Sequence, residues 1–479
     1  MTDQLKTQAV SGVKWNAVAM LTLAGLQFVT LTVLARLLTP SDFGLMGMIM
    51  VVIGFMQTFA DMGLSEAIIQ RQDVAESHLS SFFWINVFLG MLLFVGIVAI
   101  KPFAVSYFKN PALSQYLIVA ALIFLITPFG QIFTTLLKKE LRFKTLSKIE
   151  MAGAVVSSAS QIGLAGAHFG VFSLILGQLI NSLLMVGSLF FIFRKTWLPR
   201  FHFNLTEIKS YFAFGAFQLG RRVVLYLSAN VDYLIIGRFL GPEALGLYTL
   251  AYQLITFPVT KINPILTKVT FPAFSKIQHD HAKMIKGYCK VLNYIALLSF
   301  PMLAGMAVVA PEFIRLVYGP PWEPAIRVVQ IFCLVGIFKA LGNPVGSIIL
   351  AKGRADIGFY WNVFVVTMVS VAVMVGVHWG ITGVAVAILI LQLPLFFLFQ
   401  PILNKLIGFK LRQYFEAIKI PSVCSVSMLA GIIPLKMLLG DLDELPRLLI
   451  TVASGVMLYL GSYYLQDKMI FVELKSLLK

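Results

Sequence analysis

The sequence predicts an all-α integral membrane protein of about fourteen transmembrane helices. Three observations carry this reading. Of 479 residues, 59% are hydrophobic and only 12% are charged, where soluble chains carry about 25% charge. Mean hydropathy is +0.88. The apolar residues gather in runs of about 20, the length at which a helix crosses a bilayer. These figures exclude a soluble globular protein, a disordered chain and a disulfide scaffold.

The runs lie at 13–38, 43–69, 79–100, 114–137, 147–167, 170–193, 211–239, 245–272, 288–311, 325–351, 358–379, 380–403, 417–439 and 445–465. The breaks between them are short and hold turn formers, such as Thr39-Pro40-Ser41-Asp42 and Gly241-Pro242. No stretch is long and polar enough for a soluble domain. The first run ends without a small-residue cleavage site, so it is read as a retained helix and not a removed signal.

Orientation follows from the basic residues. The net charge is +17, from 38 Lys and Arg against 21 Asp and Glu. In a soluble chain such a surplus points to nucleic acid. Here it is a topology signal, and no nucleic-acid partner is implied. With the N-terminus inside, 24 of the 38 fall on inner segments, 8 on outer segments and six within runs. Basic loops stay on the cytoplasmic side, so both termini are expected there. The inner collar would meet anionic lipid headgroups.

The two halves of the chain resemble one another. Ala35-Arg36-Leu37-Leu38-Thr39-Pro40-Ser41-Asp42-Phe43-Gly44-Leu45 ends span 1, and Gly237-Arg238-Phe239-Leu240-Gly241-Pro242-Glu243-Ala244-Leu245-Gly246-Leu247 ends span 7. Thr127-Pro128-Phe129-Gly130 echoes Asn343-Pro344-Val345-Gly346. Gly166-Ala167-His168-Phe169-Gly170 echoes Gly376-Val377-His378-Trp379-Gly380. The matches keep one order, which makes the halves parallel repeats of six helices. The predicted organisation is a lobe over 1–200, a second over 201–404, and two additional helices with a tail over 405–479. Transporters hold their substrate between such halves, near the midplane.

The six basic residues within runs are Arg221, Arg222, Lys261, Lys268, Lys290 and Lys339. A basic side chain at the bilayer centre costs about 2.5–3.5 kcal/mol on insertion scales, so it pairs or faces water. Lys268 and Lys290 lie near inner ends and can snorkel. Lys261 and Lys339 lie deep in spans 8 and 10 and are read as lining a water-filled lumen. Arg221 shares a helical face with Ser228 and Asp232, while Arg222 is turned about 100° away. An Arg221–Asp232 pair fails on reach, because their separation along a helix is about 16 Å. Pro258, Pro264 and Pro272 interrupt span 8 around Lys261, which fits a broken, cavity-lining helix or a packing kink. In span 10 Lys339 and Asn343 share a face, and Pro344 follows.

Asp61, towards the inner end of span 2, is a counter-ion to a lumen cation or a proton or sodium site. Arg36 and Arg238, at outer helix ends, are snorkelling anchors or an outer gate. The expected lumen is net basic, with cations Arg221, Arg222, Lys261 and Lys339 and polar support from Asp232, Asn343 and Asp61. It suits an anion through charge-assisted hydrogen bonds and disfavours a cationic drug. No phosphate-binding G-x-x-x-x-G-K-[ST] loop, nucleophile–base pair or metal-ligand spacing is present in the sequence. A transporter is therefore expected, not an enzyme, with no cofactor beyond proton or sodium coupling. Cys289, Cys333 and Cys424 read as apolar packing residues, and His279-x-His281 as loop histidines. The Asn204-Leu205-Thr206 sequon falls on the cytoplasmic side.

The segment Leu34–Leu45, followed by Phe59-Ala60-Asp61-Met62-Gly63-Leu64 and Ile69-Gln70-Arg71, resembles the start of Wzx-type polysaccharide flippases. These form the polysaccharide transport branch of the multidrug/oligosaccharidyl-lipid/polysaccharide (MOP) exporter superfamily. Asn230-Val231-Asp232-Tyr233, Ile236–Pro242 and Tyr318-Gly319-Pro320-Pro321-Trp322-Glu323-Pro324-Ala325 extend the likeness over nearly the whole chain. It is nearest the colanic-acid and teichuronic-acid exporters.

The resemblance implies a bacterial inner-membrane protein with two six-helix bundles around a central cavity. It would move an undecaprenyl-pyrophosphate-linked oligosaccharide across the membrane for lipopolysaccharide or exopolysaccharide synthesis. Its partners would be that lipid-linked oligosaccharide, membrane lipids, and the polymerase and glycosyltransferases of the pathway. Lumen cations vary in position within the family, so Arg221, Lys261 and Lys339 rest on this sequence's own pattern. Alternative readings are a lipid II-type peptidoglycan precursor flippase and a cation-coupled multidrug exporter. The latter would have only Asp61 and Asp232 as lumen carboxylates.

Overall fold

A computed structural model describes residues 3–60, 65, 68–69, 75–342 and 344–466, with side chains described except at 3–14, 16–17, 205–219, 221 and 257–269. The described residues are helical, with no strand among them. The helices are α1 (Asp3–Leu37), α2 (Pro40–Gln57), α3 (Glu76–Phe108), α4 (Leu113–Ala121), α5 (Ile123–Ile126), α6 (Pro128–Lys139), α7 (Phe143–Gly166), α8 (Val171–Phe193), α9 (Leu205–Phe239), α10 (Gly241–Lys276), α11 (His281–Val317), α12 (Ala325–Gly342), α13 (Val345–Ala351), α14 (Ala355–Gly376), α15 (Gly380–Ile407), α16 (Leu411–Leu438) and α17 (Glu444–Gln466). Every one of the predicted apolar runs carries helix. Among the described residues nine runs are long and apolar enough to cross a membrane, and a tenth if the bent pair Leu113–Ile126 and Pro128–Lys139 is one span. One of the nine, Ala355–Ile407, is two helices, α14 and α15, packed on each other. The chain is thus a multi-pass membrane protein. Its outer surface agrees, since Phe103 is 70% exposed and Leu465 80% exposed, a cost in water and none in lipid.

The helix breaks have local causes. Thr39 precedes α2 in extended backbone, and its hydroxyl accepts from the Asp42 amide at 3.3 Å. The Asp42 carboxylate in turn accepts from the Thr39 amide at 2.9 Å. This capping box satisfies two amides that the first helical turn leaves free. Pro128 breaks the α5–α6 rod, bending the pair by 46°, because proline lacks an amide and crowds the preceding turn. In contrast, α10 runs unbroken from Gly241 to Lys276. The interruption expected at Pro258, Pro264 and Pro272 is therefore not a break in the helix. Each proline removes one bond of the ladder and leaves the intervening turns to hold it.

The chain divides into two compact units, 1–246 and 247–479. In the first, α7 packs between α1 and α8, while α9 lies on α2 and α3. An aromatic core of Phe82, Phe83, Phe133 and Phe193 joins α3, α6 and α8. In the second, α11 is the central rod, packed by α12, α16 and α17, and α12 also packs on α15. Its core is built from Tyr288, Leu292, Ile348, Leu403, Phe409 and Tyr414.

The two units share turn geometry. After α6, the amides of Glu140, Leu141 and Arg142 donate to the carbonyls of Leu136, Lys138 and Leu137 at 2.8, 3.2 and 2.9 Å. After α13, the amides of Lys352, Gly353 and Arg354 donate to Ile348, Leu350 and Ile349 at 2.9, 3.0 and 3.0 Å. Leu141 (φ 55°) and Gly353 (φ 69°) hold the same left-handed position. Before α8 and at the start of α15, Gly170 (φ 53°, ψ −130°) and Gly380 (φ 69°, ψ −164°) turn the chain through backbone that side chains avoid. Gly170→Ala and Gly380→Ala should each lower stability by about 1–3 kcal/mol, read as a fall in unfolding temperature in detergent. Gly187→Ala, at a mid-helix site with open space around it, should instead stabilise by about 0.5–1 kcal/mol.

Candidate functional site

Lys339 lies on α12, within the apolar stretch Ala325–Ala351 that is long enough to cross a membrane. Lys339 Nζ donates to the Tyr252 hydroxyl of α10 at 2.8 Å and sits 4.6 Å from the centroid of the same ring. Tyr252 is stacked on Tyr248, with centroids 6.0 Å apart, and Phe332 stands edge-on to both. The partner of this ammonium is a neutral phenol on an aromatic platform. Among the described residues no carboxylate pairs with Lys339.

A second lysine of the same unit is arranged differently. Lys436 of α16 donates to Glu312 of α11 at 2.8 Å, and Arg447 lies 3.7 Å from the other oxygen of that carboxylate. Glu312 is 5% exposed. Two cations thus share one carboxylate. They stand at one end of a half-open cavity of about 730 Å³ between α11, α12 and α16. Its polar lining is also committed: Gln330 donates to the Ala307 carbonyl at 3.0 Å, Ser422 to Ile418 and Ser425 to Pro421, each at 2.8 Å. The cavity walls are otherwise mostly apolar.

The other predicted residues fall in several places. Asp61 and Asn343 lie outside the described residues, as do the side chains of Arg221, Lys261 and Lys268. Arg222 is half-buried on α9. Asp232 is 7% exposed, and its carboxylate accepts from the Tyr233 amide at 3.0 Å. On the same helix the buried Ser228 hydroxyl has no hydrogen-bond partner among the described residues. Arg36 is exposed at the end of α1. Arg238 donates to the Ser106 carbonyl at 2.9 Å and to the Tyr107 carbonyl, and lies 5.5 Å from the Tyr107 ring. It thereby caps the free carbonyls that end α3. Lys290 lies 5.8 Å from the Tyr294 ring.

On the predicted inner face, Lys144 and Lys148 reach over Trp15 at 5.4 and 5.7 Å. Arg354 holds the Asp356 carboxyl below the usual carboxylate range through a charge-assisted hydrogen bond. His281 hydrogen-bonds to Lys352 at 3.1 Å.

Known proteins resemble this arrangement over most of its length. The model of a family described as polysaccharide biosynthesis protein matches residues 33–327. The teichuronic acid biosynthesis protein TuaB of Bacillus subtilis is 37% identical over 95% of this chain and 94% of its own. The chain belongs to this polysaccharide biosynthesis family. Within the family, the lipopolysaccharide biosynthesis protein WzxC of Escherichia coli is 34% identical over 89% of this chain and 87% of its own. Among solved structures, a lipid II flippase, MurJ, in an inward closed conformation matches with a TM-score of 0.78. That match covers 96% of this chain and 100% of the other at 15% identity, so what the two share is the fold.

Tyr252, Glu312 and the aromatic platform are absent from the residues singled out by sequence. Glu312 lies one position beyond the apolar run 288–311, so it reads as a loop acid. Tyr252 is 87 residues from its lysine, a separation that no local pattern reveals. Glu312→Gln should leave Lys436 and Arg447 short of a partner and lower stability by about 2 kcal/mol, between the exposed and fully buried cases. A double-mutant cycle with Lys436→Met, followed by thermal unfolding in detergent, should return a coupling of about 1–3 kcal/mol.

Proposed function

We propose that the chain is a flippase that moves a lipid-linked, anionic oligosaccharide across the bacterial inner membrane. Family membership supports a role in polysaccharide biosynthesis. The observation that carries the chemistry is Lys339, a lysine within a predicted span whose hydrogen-bond partner is the Tyr252 hydroxyl. A basic residue kept charged at membrane depth needs a function to offset its desolvation. A pyrophosphate or an acidic sugar supplies the complementary charge, and the Tyr248, Tyr252 and Phe332 rings give a flat apolar face beside it. The 37% identical relative is itself named for the synthesis of an acid, teichuronic acid.

In this reading the chain crosses the membrane fourteen times with both termini in the cytoplasm. Lobes over 1–200 and 201–404 form parallel repeats of six helices, and 405–479 adds two. The recurring turns after α6 and α13, and at Gly170 and Gly380, support the repeat. Lys261, Arg221 and Arg222 join Lys339 in a cationic lumen, with Asp232, Asn343 and Asp61 as polar support. The lobes rock to open the lumen inward and then outward. The cargo is undecaprenyl-pyrophosphate-linked, made by glycosyltransferases and consumed by a polymerase.

Lys261→Ala with Lys339→Ala should abolish polysaccharide export while the protein still inserts in the membrane. Full export by that double variant would refute the lumen site. Tyr252→Phe removes one hydrogen bond of about 1 kcal/mol and should lower export about fivefold. The assay is transfer of a fluorescent lipid-linked oligosaccharide in vesicles containing the purified protein.

A further inference from the structure

The strongest repeat in the sequence, Pro40-x-x-x-Gly44 and Pro242-x-x-x-Gly246, is also a place where the chain meets itself. A Cβ added to Gly44 would lie 1.6 Å from the Pro242 carbonyl oxygen and 2.9 Å from the Gly246 nitrogen. A Cβ added to Gly246 would lie 1.8 Å from the Pro40 oxygen and 3.0 Å from the Gly44 nitrogen. The two contacts are reciprocal, position for position. Residue i of one motif meets residue j of the other, and j meets i, which is the mark of a two-fold axis between them. The first turns of α2 and α10 cross there backbone to backbone, an approach that only small residues allow in membrane helices.

Two further contacts lie along the same seam. The Tyr226 hydroxyl of α9 hydrogen-bonds with the Met50 and Val51 carbonyls of α2 at 3.1 and 3.0 Å. Arg238 caps the end of α3. Every one of these contacts joins residues 226–246 to α2 or α3. In the predicted topology the glycine crossing and Arg238 stand at the outer ends of their helices. The seam holds no disulfide, and the bonds named here are hydrogen bonds to backbone carbonyls and van der Waals contact, which can be remade.

We infer that the reciprocal Gly44–Gly246 crossing is the outer seal of the transport path and parts when the path opens outward. The inference rests on the alternating-access reading above, and it locates the closing contact on two glycines rather than on Arg36 and Arg238. An alanine at either glycine has no room in the closed crossing, so it should hold the outer end open.

The test is labelling of a Ser228→Cys chain by a membrane-impermeant thiol reagent applied from the outer face, measured above the parent chain. Ser228 lies on α9, inward of the crossing. Labelling should be low with both glycines present. It should rise at least fivefold with Gly44→Ala or Gly246→Ala and stay low with Gly96→Ala, where a Cβ meets open space. Unchanged labelling in correctly inserted Gly44→Ala and Gly246→Ala chains would overturn the seal. Should the alanine chains fail to insert, Tyr226→Phe combined with Arg238→Gln takes their place, with a rise supporting the seal and no rise overturning it. The readout uses no cargo. Normal export by the Lys261, Lys339 variant beside a positive labelling result would remove the lumen site and leave the seal standing.

Discussion

The structure depends on the absence of water from the bilayer core. A backbone amide or carbonyl in that region has to find its partner within the protein. Long helices solve most of this. The ends and breaks of helices do not solve themselves, and the side chains that matter here are found at them. Thr39 and Asp42 close the start of α2. Arg238 closes the end of α3. Asn293 donates to the Ala417 carbonyl at 2.9 Å, and Ser157 to the Gly177 carbonyl at 2.8 Å, tying α11 to α16 and α7 to α8. Such hydrogen bonds are worth about 0.6 kcal/mol on average in membrane proteins, so they select a geometry more than they stabilise it.

The same constraint sorts the cations. Lys436 and Lys339 belong to one compact unit and are both half-buried. Lys436 has a buried carboxylate, which it shares with Arg447. Lys339 has a phenol and an aromatic face. The first arrangement sets a carboxylate against the charge. The second, among the described residues, does not. A lysine count or a depth estimate cannot separate these two cases, whereas the identity of the partner does.

What the sequence could convey follows from the range of each interaction. Apolar runs, helix stops at Thr39–Asp42 and Gly241-Pro242, and the three repeated motifs are local, and helices stop and start at those two turns as they predict, although α2 ends at Gln57, well short of the run to 69. The prolines of span 8 are local too, yet they mislead, because a helix held at both ends tolerates the loss of single ladder bonds. The left-handed turn at Leu141 is hidden, since a leucine there carries none of the glycine signal that Gly353 gives at the matching position. Arg238 is visible as a misplaced charge, but its acceptors are backbone carbonyls more than 130 residues away and leave no trace in composition. Lys339 is visible for the same reason, and its aromatic surroundings are hidden for the same reason.

The recurring features and the singular ones have different distributions. Left-handed turns and the glycine crossing occur in matching pairs. The cation does not. With Pro128 aligned to Pro344, the position of Lys339 corresponds to Ile123, which is apolar and lies in the short helix before the break. A basic residue at position 123 would carry its own desolvation cost in a half where Ile123 now packs at no such cost. A left-handed turn or a close glycine approach is a demand of the backbone, and a repeated backbone makes that demand twice. A charge is a demand of one place only. The likeness of the halves therefore extends to turns and crossings, and stops at Lys339.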